Sequence, residues 1–217
     1  ALHLVTTRAQ MIQKLPGGAM AAVMLSEEKV QPFLNEHLSL SAINAPFSCV
    51  ISGSHEAVAG LQQQLMEKGI ASQRLHTTHA FHSKMMEPLV EPFIEHVNGI
   101  TLNAPEIPFI SNVTGNWITG AEATEPSYWA KHLCQTVRFA DGMGQLLKEP
   151  EQILLEIGPG LTLSTLVAQR PDKSPKQVVL TSLRHPHNSQ SDSAFLLTTL
   201  GRLWMAGVKV NWEGFYA

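Results

Sequence analysis

Phe47-Ser48-Cys49-Val50-Ile51-Ser52 is an apolar run of strand length, with Ala45-Pro46 as a turn before it and Gly53-Ser54 as a breaker after it. Leu38 to Asn44 reads as a second strand on its N-terminal side. Beyond Gly53-Ser54 comes a helix whose core face is Val58, Leu61, Leu65 and Met66, ending at Gly69. Ile70 to Leu75 follows as another strand. Working back, Ala19 to Leu25 is a short apolar strand, and Ser26-Glu27-Glu28 caps a helix predicted to run to about His37, its hydroxyl and acids suiting a helix start. The order is βαββαβ in about sixty residues, the pattern of a ferredoxin-like subdomain. The flanking segments differ in style, so this unit reads as an insertion.

Directly after it stands Leu75-His76-Thr77-Thr78-His79-Ala80-Phe81-His82-Ser83, with three histidines in seven residues. Histidine exchanges protons near neutrality because its ordinary pKa is roughly 6.5. His82 has two readings, a general base or a histidine satisfied by loop hydrogen bonds. A base needs an orienting partner and a nucleophile, and spacing identifies neither. His76, His79 and His82 also admit a metal-ligand reading at i, i+3 and i+6. The segment has turn character, however, with no companion cysteine or carboxylate cluster, so no metal is expected.

Further along, Met86 to Val97 has the period of an amphipathic helix. Ile107 to Asn112 reads as a strand, Tyr128 to Leu133 and Phe139 to Leu147 as helices, and Gln152 to Ile157 as a buried strand. Leu161 to Ala168 is helical, Val178 to Ser182 a strand, and Phe195 to Ala206 a last helix. Strands alternating with helices imply a largely parallel sheet. Glu156-Ile157-Gly158-Pro159-Gly160 is either an anion site at a helix N-terminus or a tight turn at a sheet edge. The first residues already have helical period, with Leu2, Val5, Ala9 and Ile12 on one face and no cap before them, as if cut from something longer. Arg8 on that helix is either a solvated arginine or a clamp for a carboxylate, which the planar guanidinium suits.

The 217 residues are 44% hydrophobic and 15% charged, enough for one or two domains with a sizeable core. A net charge of −3 provides no basic stripe for nucleic acid. No apolar run reaches the roughly 18 residues of a membrane span, and no signal peptide is expected. Cys49 and Cys134 read as buried free thiols in a reducing compartment, so the expected setting is the cytoplasm.

A series of motifs, in order over the whole chain, resembles one family. It comprises Thr7-Arg8-Ala9-Gln10-Met11-Ile12-Gln13, Asn44-Ala45-Pro46 with Val50-Ile51-Ser52-Gly53, and His79-Ala80-Phe81-His82-Ser83. It continues with Ser111-Asn112-Val113-Thr114-Gly115, Tyr128-Trp129-Ala130-Lys131-His132-Leu133 with Val137-Arg138-Phe139, and Glu156-Ile157-Gly158-Pro159-Gly160. The chain resembles the acyltransferase domain of modular type I polyketide synthases, related to malonyl-CoA:acyl-carrier-protein transacylase.

The resemblance implies an α/β fold, the C-terminal part of an α/β-hydrolase-like core with an inserted ferredoxin-like subdomain. It assigns residues 1–16 and 76–182 to the core, 17–75 to the insertion and 183–217 to the linker that follows, with Trp204 and Trp212 packing back on the domain. It implies a transfer of malonyl from CoA, through a serine ester, to the phosphopantetheine thiol of an acyl carrier protein. CoA and phosphopantetheine enter as substrate and acceptor; no bound cofactor is implied. By the same resemblance His82 is the base, and His132 lies where a backbone carbonyl orients it, its side chain not being required. Arg8 pairs with the substrate carboxylate, and Asn44, His79 and Phe81 contact substrate. Phe81 occupies the space of an α-methyl group, which favours malonyl over methylmalonyl.

The family's nucleophile is the serine of a Gly-His-Ser-x-Gly elbow. No such elbow occurs here, and Ser52-Gly53-Ser54 has the wrong spacing. The expectation is therefore a C-terminal portion, inactive alone, whose partners are the preceding part of the domain, a carrier protein, and the ketosynthase and linker regions of the same synthase. The competing expectation is a non-catalytic scaffold piece of a megasynthase.

Overall fold

The computed structural model describes residues 2–216. They form two compact units, one ending at Gln145 and one starting at Leu146. The first opens with α1 (Leu2–Gln13), β1 (Ala19–Val23) and α2 (Glu27–Val30). It continues with β2 (Leu38–Ala45), β3 (Ser48–Gly53), α3 (His55–Glu67) and β4 (Ser72–Arg74). Next come α4 (Val90–Asn98), α5 (Gly120–Thr124), α6 (Pro126–Cys134) and α7 (Phe139–Leu146).

The four strands make one antiparallel sheet in the order β2-β3-β1-β4. Alternation gives the sheet two faces. One face is apolar: Ala19, Ala21, Val23, Leu40 and Ile51 pack with Val58, Leu61 and Leu65 of α3. A second apolar cluster joins Ile12 of α1, Met86, Leu89, Phe93 and Val97, and Ala130 and Leu133 of α6. The histidine turn runs between the sheet and this helical cluster.

Several expected boundaries shift. α2 stops at Val30 and gives way to a 3-10 turn over Gln31–Phe33, because Pro32 lacks an N–H and crowds the turn before it. Pro88 acts likewise: the expected helix from Met86 is a 3-10 segment, Lys84–Leu89, before α4 begins. Met66, expected in the core, is 65% exposed. The expected strand at Ile107 to Asn112 reduces to one bridge between Ile110 and Trp117. Pro105 and Pro108 remove ladder donors there, and Ile107 is 81% exposed. α5 was not anticipated, although Thr119 and Glu122 form a reciprocal capping box. Cys49 is buried but Cys134 only half-buried.

The second unit holds β5 (Ile153–Glu156), α8 (Thr162–Ala168), β6 (Val178–Thr181), α9 (Asp192–Met205) and α10 (Trp212–Phe215). β5 and β6 pair in parallel, and β5 is half-buried rather than buried. α9 begins earlier than expected because Ser191 caps it, accepting from the Ala194 N–H. Trp204 and Trp212 pack edge to face on one another, with ring centroids 6.2 Å apart, and Trp204 stays 57% exposed. Among the described residues no helix is long and apolar enough to cross a membrane.

Candidate active site

Loop 75–85 is fixed by its own backbone and by the sheet. The Leu75 N–H donates to the Met20 carbonyl at 2.9 Å, and the Gly18 N–H to the Thr78 carbonyl at 3.0 Å. Gly18 lies so close to the loop that an added Cβ would stand 2.8 Å from the Ala80 Cβ. Beyond it, the Ser83 hydroxyl donates to the Ala80 carbonyl at 2.6 Å and accepts from the Met85 N–H at 3.2 Å. Within this frame His82 has φ 55°. A non-glycine residue there costs on the order of 1–3 kcal/mol and persists only where its surroundings over-determine it.

Arg8, His79 and Phe81, proposed from the sequence, line one cavity of about 450 Å³ together with Val5, Ile12 and Thr78. The rings of His79 and Phe81 are 6.2 Å apart, and Thr78 Oγ1 shares a hydrogen bond with His79 Nδ1. Among the described residues no carboxylate pairs with Arg8. Burial lowers the Arg8 pKa, so its cation lacks both full hydration and a counter-charge. A cavity wall of this kind favours an incoming anion.

His82 and His132 also come together. Their rings stand edge to face with centroids 5.7 Å apart. Burial pushes the His82 pKa below its ordinary value, and the Arg8 charge adds to this; the backbone carbonyls of His132 and Gln135 pull the other way. Those carbonyls favour the imidazolium, yet His82 Nδ1 is buried without a hydrogen bond of good geometry. His132 is driven down to about 4 by burial, then by His82 and Arg8. At neutral pH both imidazoles are therefore neutral, and His82 is free to accept a proton. The His132 side chain, which the sequence left without a task, thus faces the ring of His82. Gln135 was missed altogether; its place one turn beyond His132 was the available signal.

Asn44 is not brought to this cavity. It lies half-buried on β2, at an irregularity in the pairing of Ile43 and Ala45. Among the described residues no group of three histidine, cysteine or acidic side chains is placed to hold a metal ion, so His76, His79 and His82 do not converge. Glu156 settles the two readings of its turn. Its carboxylate accepts from the Leu163 and Ser164 N–H groups and from the Ser164 hydroxyl, at 2.7–3.1 Å. The anion at the start of α8 is the chain's own side chain.

A family model described as the acyl transferase domain matches residues 1–210. The chain is 36% identical over 212 residues to a phenolphthiocerol/phthiocerol polyketide synthase protein of Mycobacterium tuberculosis (strain CDC 1551 / Oshkosh), covering 98% of this chain and 14% of that protein. It is 35% identical over 215 residues to the mycoketide-CoA synthase of Mycobacterium tuberculosis (strain ATCC 25618 / H37Rv), covering 98% and 5%. Among solved structures, the acyl transferase domain of SpnD in complex with 2-(pent-4-yn-1-yl)malonyl superposes with a TM-score of 0.88 at 39% identity, over 94% of this chain and 50% of that one. The acyltransferase domain from the second module of the salinomycin polyketide synthase does so with 0.90 at 34% identity, over 99% and 50%. The chain thus spans about half of the solved acyltransferase chains and a small share of the curated synthases it matches. The chain belongs to the acyl transferase domain family, in the branch carried by modular type I polyketide synthases.

Proposed function

We propose that these residues supply the base and the carboxylate clamp of a malonyl-selective acyltransferase of a polyketide synthase. The observation that carries this reading is Arg8, without a carboxylate partner among the described residues, in the wall of a cavity shared with His79 and Phe81. A malonyl thioester is an anion at one end and an electrophile at the other. Arg8 holds the carboxylate, bidentate geometry fitting the fork. A serine outside these 217 residues attacks the thioester carbonyl while His82 takes its proton; the CoA thiolate leaves and takes that proton from the imidazolium. In the second half the phosphopantetheine thiol of an acyl carrier protein attacks the ester. His82 takes the thiol proton and returns it to the departing serine oxygen.

The backbone of His132 and Gln135 steadies the imidazolium formed in each half. The SpnD relative, solved with a substituted malonyl group, supports malonyl-type acids as the substrate class. Phe81 beside His79 supports a preference for the unsubstituted acid. In this reading the four-stranded sheet is the inserted ferredoxin-like subdomain, its strand order β4-β1-β3-β2 being the one such a unit has, and residues 183–217 form the linker after the domain. The ketosynthase of the same synthase is a partner.

The test is Arg8→Ala in the acyltransferase domain that contains this chain, with malonyl-CoA and acetyl-CoA in competition. Malonyl use should fall by about tenfold to 150-fold, the scale of a lost charged hydrogen bond of about 1.5–3 kcal/mol, while acetyl use falls far less. Equal losses for both would make Arg8 structural.

A further inference from the structure

The apolar face of the four-stranded sheet is explained by α3; the other face of β2 and β3 carries serines where strands ordinarily favour β-branched residues. Ser39 and Ser52 stand opposite each other in the register. Ser41 is the extra residue of a bulge: Leu40 pairs with Ile51 and Ala42 with Val50, leaving Ser41 between them. Ser41 and Ser52 are wholly buried, at 0% exposure. Buried hydroxyls cost stability unless they are hydrogen-bonded.

Their partner is the histidine turn. The Ser52 hydroxyl donates to the Phe81 carbonyl at 3.0 Å. Ser52 has one hydroxyl proton, so in its hydrogen bond with Ser41 the donor is Ser41. Further on, the Lys84 N–H donates to Ser39 Oγ at 3.3 Å. Among the described residues Ser52 is the side chain that hydrogen-bonds the peptide group joining Phe81 to His82. That group lies between the ring in the cavity wall and the imidazole at φ 55°.

We propose that Ser52, oriented by Ser41, is the positioning residue for the turn at residues 79–82, and through it sets both the His82 imidazole and the Phe81 ring. This rests on the roles given above to His82 and Phe81. The sheet then does more than support the loop. Its second face holds a backbone conformation that the loop's own sequence does not favour, and a small displacement there reaches proton transfer and pocket shape together.

The test uses the acyltransferase domain containing this chain, with Ser52→Ala, Ser41→Ala and Ser52→Thr. Ile51→Val, on the opposite face of the same strand, is the control for mere destabilisation. Amide hydrogen exchange over residues 79–85 reads the turn without reference to activity. Ser52→Ala should speed it by about fivefold to tenfold, the scale of one hydrogen bond. It should lower kcat for malonyl-CoA by about tenfold, with KM within about threefold, because a misplaced base costs turnover more than binding. The malonyl to methylmalonyl ratio should fall as well. Ser41→Ala should act in the same direction and more weakly, and Ser52→Thr, which keeps the donor, should recover most of kcat.

A folded Ser52→Ala protein with unchanged exchange and kcat, or with changes that Ile51→Val reproduces, overturns the proposal. If Ser52→Ala does not fold, Ser41→Ala decides: faster exchange confined to residues 79–85 supports the proposal, and a profile like that of Ile51→Val overturns it. Faster exchange in Ser52→Ala together with full loading by His82→Ala would leave the positioning role standing and remove the reading of His82 as base.

Discussion

Two turns carry the polar residues that invite a chemical reading, at residues 79–83 and 156–160, and the structure treats them in opposite ways. At 156–160 Glu156 turns back and accepts three hydrogen bonds from the start of α8. Burial alone would push its carboxyl up, but the bonds from Ser164 and Leu163 outweigh that and hold it below the usual carboxylate range. The carboxylate and the donors at the start of α8 satisfy one another. At 79–83 the backbone is held by Ser52 and Ser83, while Arg8, in the cavity wall with His79 and Phe81, has no carboxylate partner among the described residues. A turn whose polar groups satisfy one another is structural. A turn rigidly held beside a charge left unpaired keeps that charge for a ligand.

The contrast breaks first, if it breaks, at the pocket. Replacing His79-Ala80-Phe81-His82 with Tyr-Ala-Ser-His, through His79→Tyr and Phe81→Ser, should raise methylmalonyl use relative to malonyl. One methyl group sets the ceiling at about tenfold to 200-fold, and partial collapse of the vacated space lowers it. The measurement is the ratio of kcat/KM values with both thioesters present. An unchanged ratio in a protein that still loads malonyl would remove Phe81 from the pocket.

A smaller effect concerns acid. The folded-state pKa of His132, about 4, lies below its ordinary value through burial, His82 and Arg8. Below pH 6.5 the unfolded chain therefore binds the proton that the folded chain excludes. Stability is complete above that pH and falls as pH drops toward 4. His132→Asn removes this group from the balance. Its melting temperature should drop less between pH 7 and pH 5 than that of the parent. An equal or larger drop would show that His132 is not held neutral beside His82 and Arg8.

The smallest effect belongs to the other turn. Glu156→Ala should cost about 1 kcal/mol in chemical denaturation, the scale of a lost helix cap, and leave the malonyl to methylmalonyl ratio unchanged. A changed ratio would erase the distinction between the two turns.

The sequence made some of this legible for definite reasons. Alternation and the breakers at Pro46, Gly53 and Gly69 brought out four strands and α3, because burial on one face enforces the period. Pro32 and Pro88 were visible, yet the cap at Ser26 and the apolar period after Met86 suggested longer helices than those that form. Arg8 and His82 were candidates by residue type, and the resemblance, not spacing, chose between their two readings. The cluster itself was hidden, since His132 lies fifty positions from His82 and reaches it only by the packing of α6 beneath the loop. Ser41 and Ser52 were hidden more thoroughly. A serine in a strand reads as a solvent-facing residue, and the bulge that turns Ser41 inward leaves no mark in the alternation.

The most direct measurement is the mass of the acyltransferase domain containing this chain after mixing with malonyl-CoA, alone and with His82→Ala. The account predicts one covalent malonyl group on the parent domain. In the His82→Ala variant loading should be slowed by about 10²–10⁴-fold, the range for loss of a general base, and the 217 residues alone should form no adduct. An adduct on the isolated chain, or full-rate loading without the His82 imidazole, would contradict the assignment of His82 as the base for a serine supplied from outside this chain.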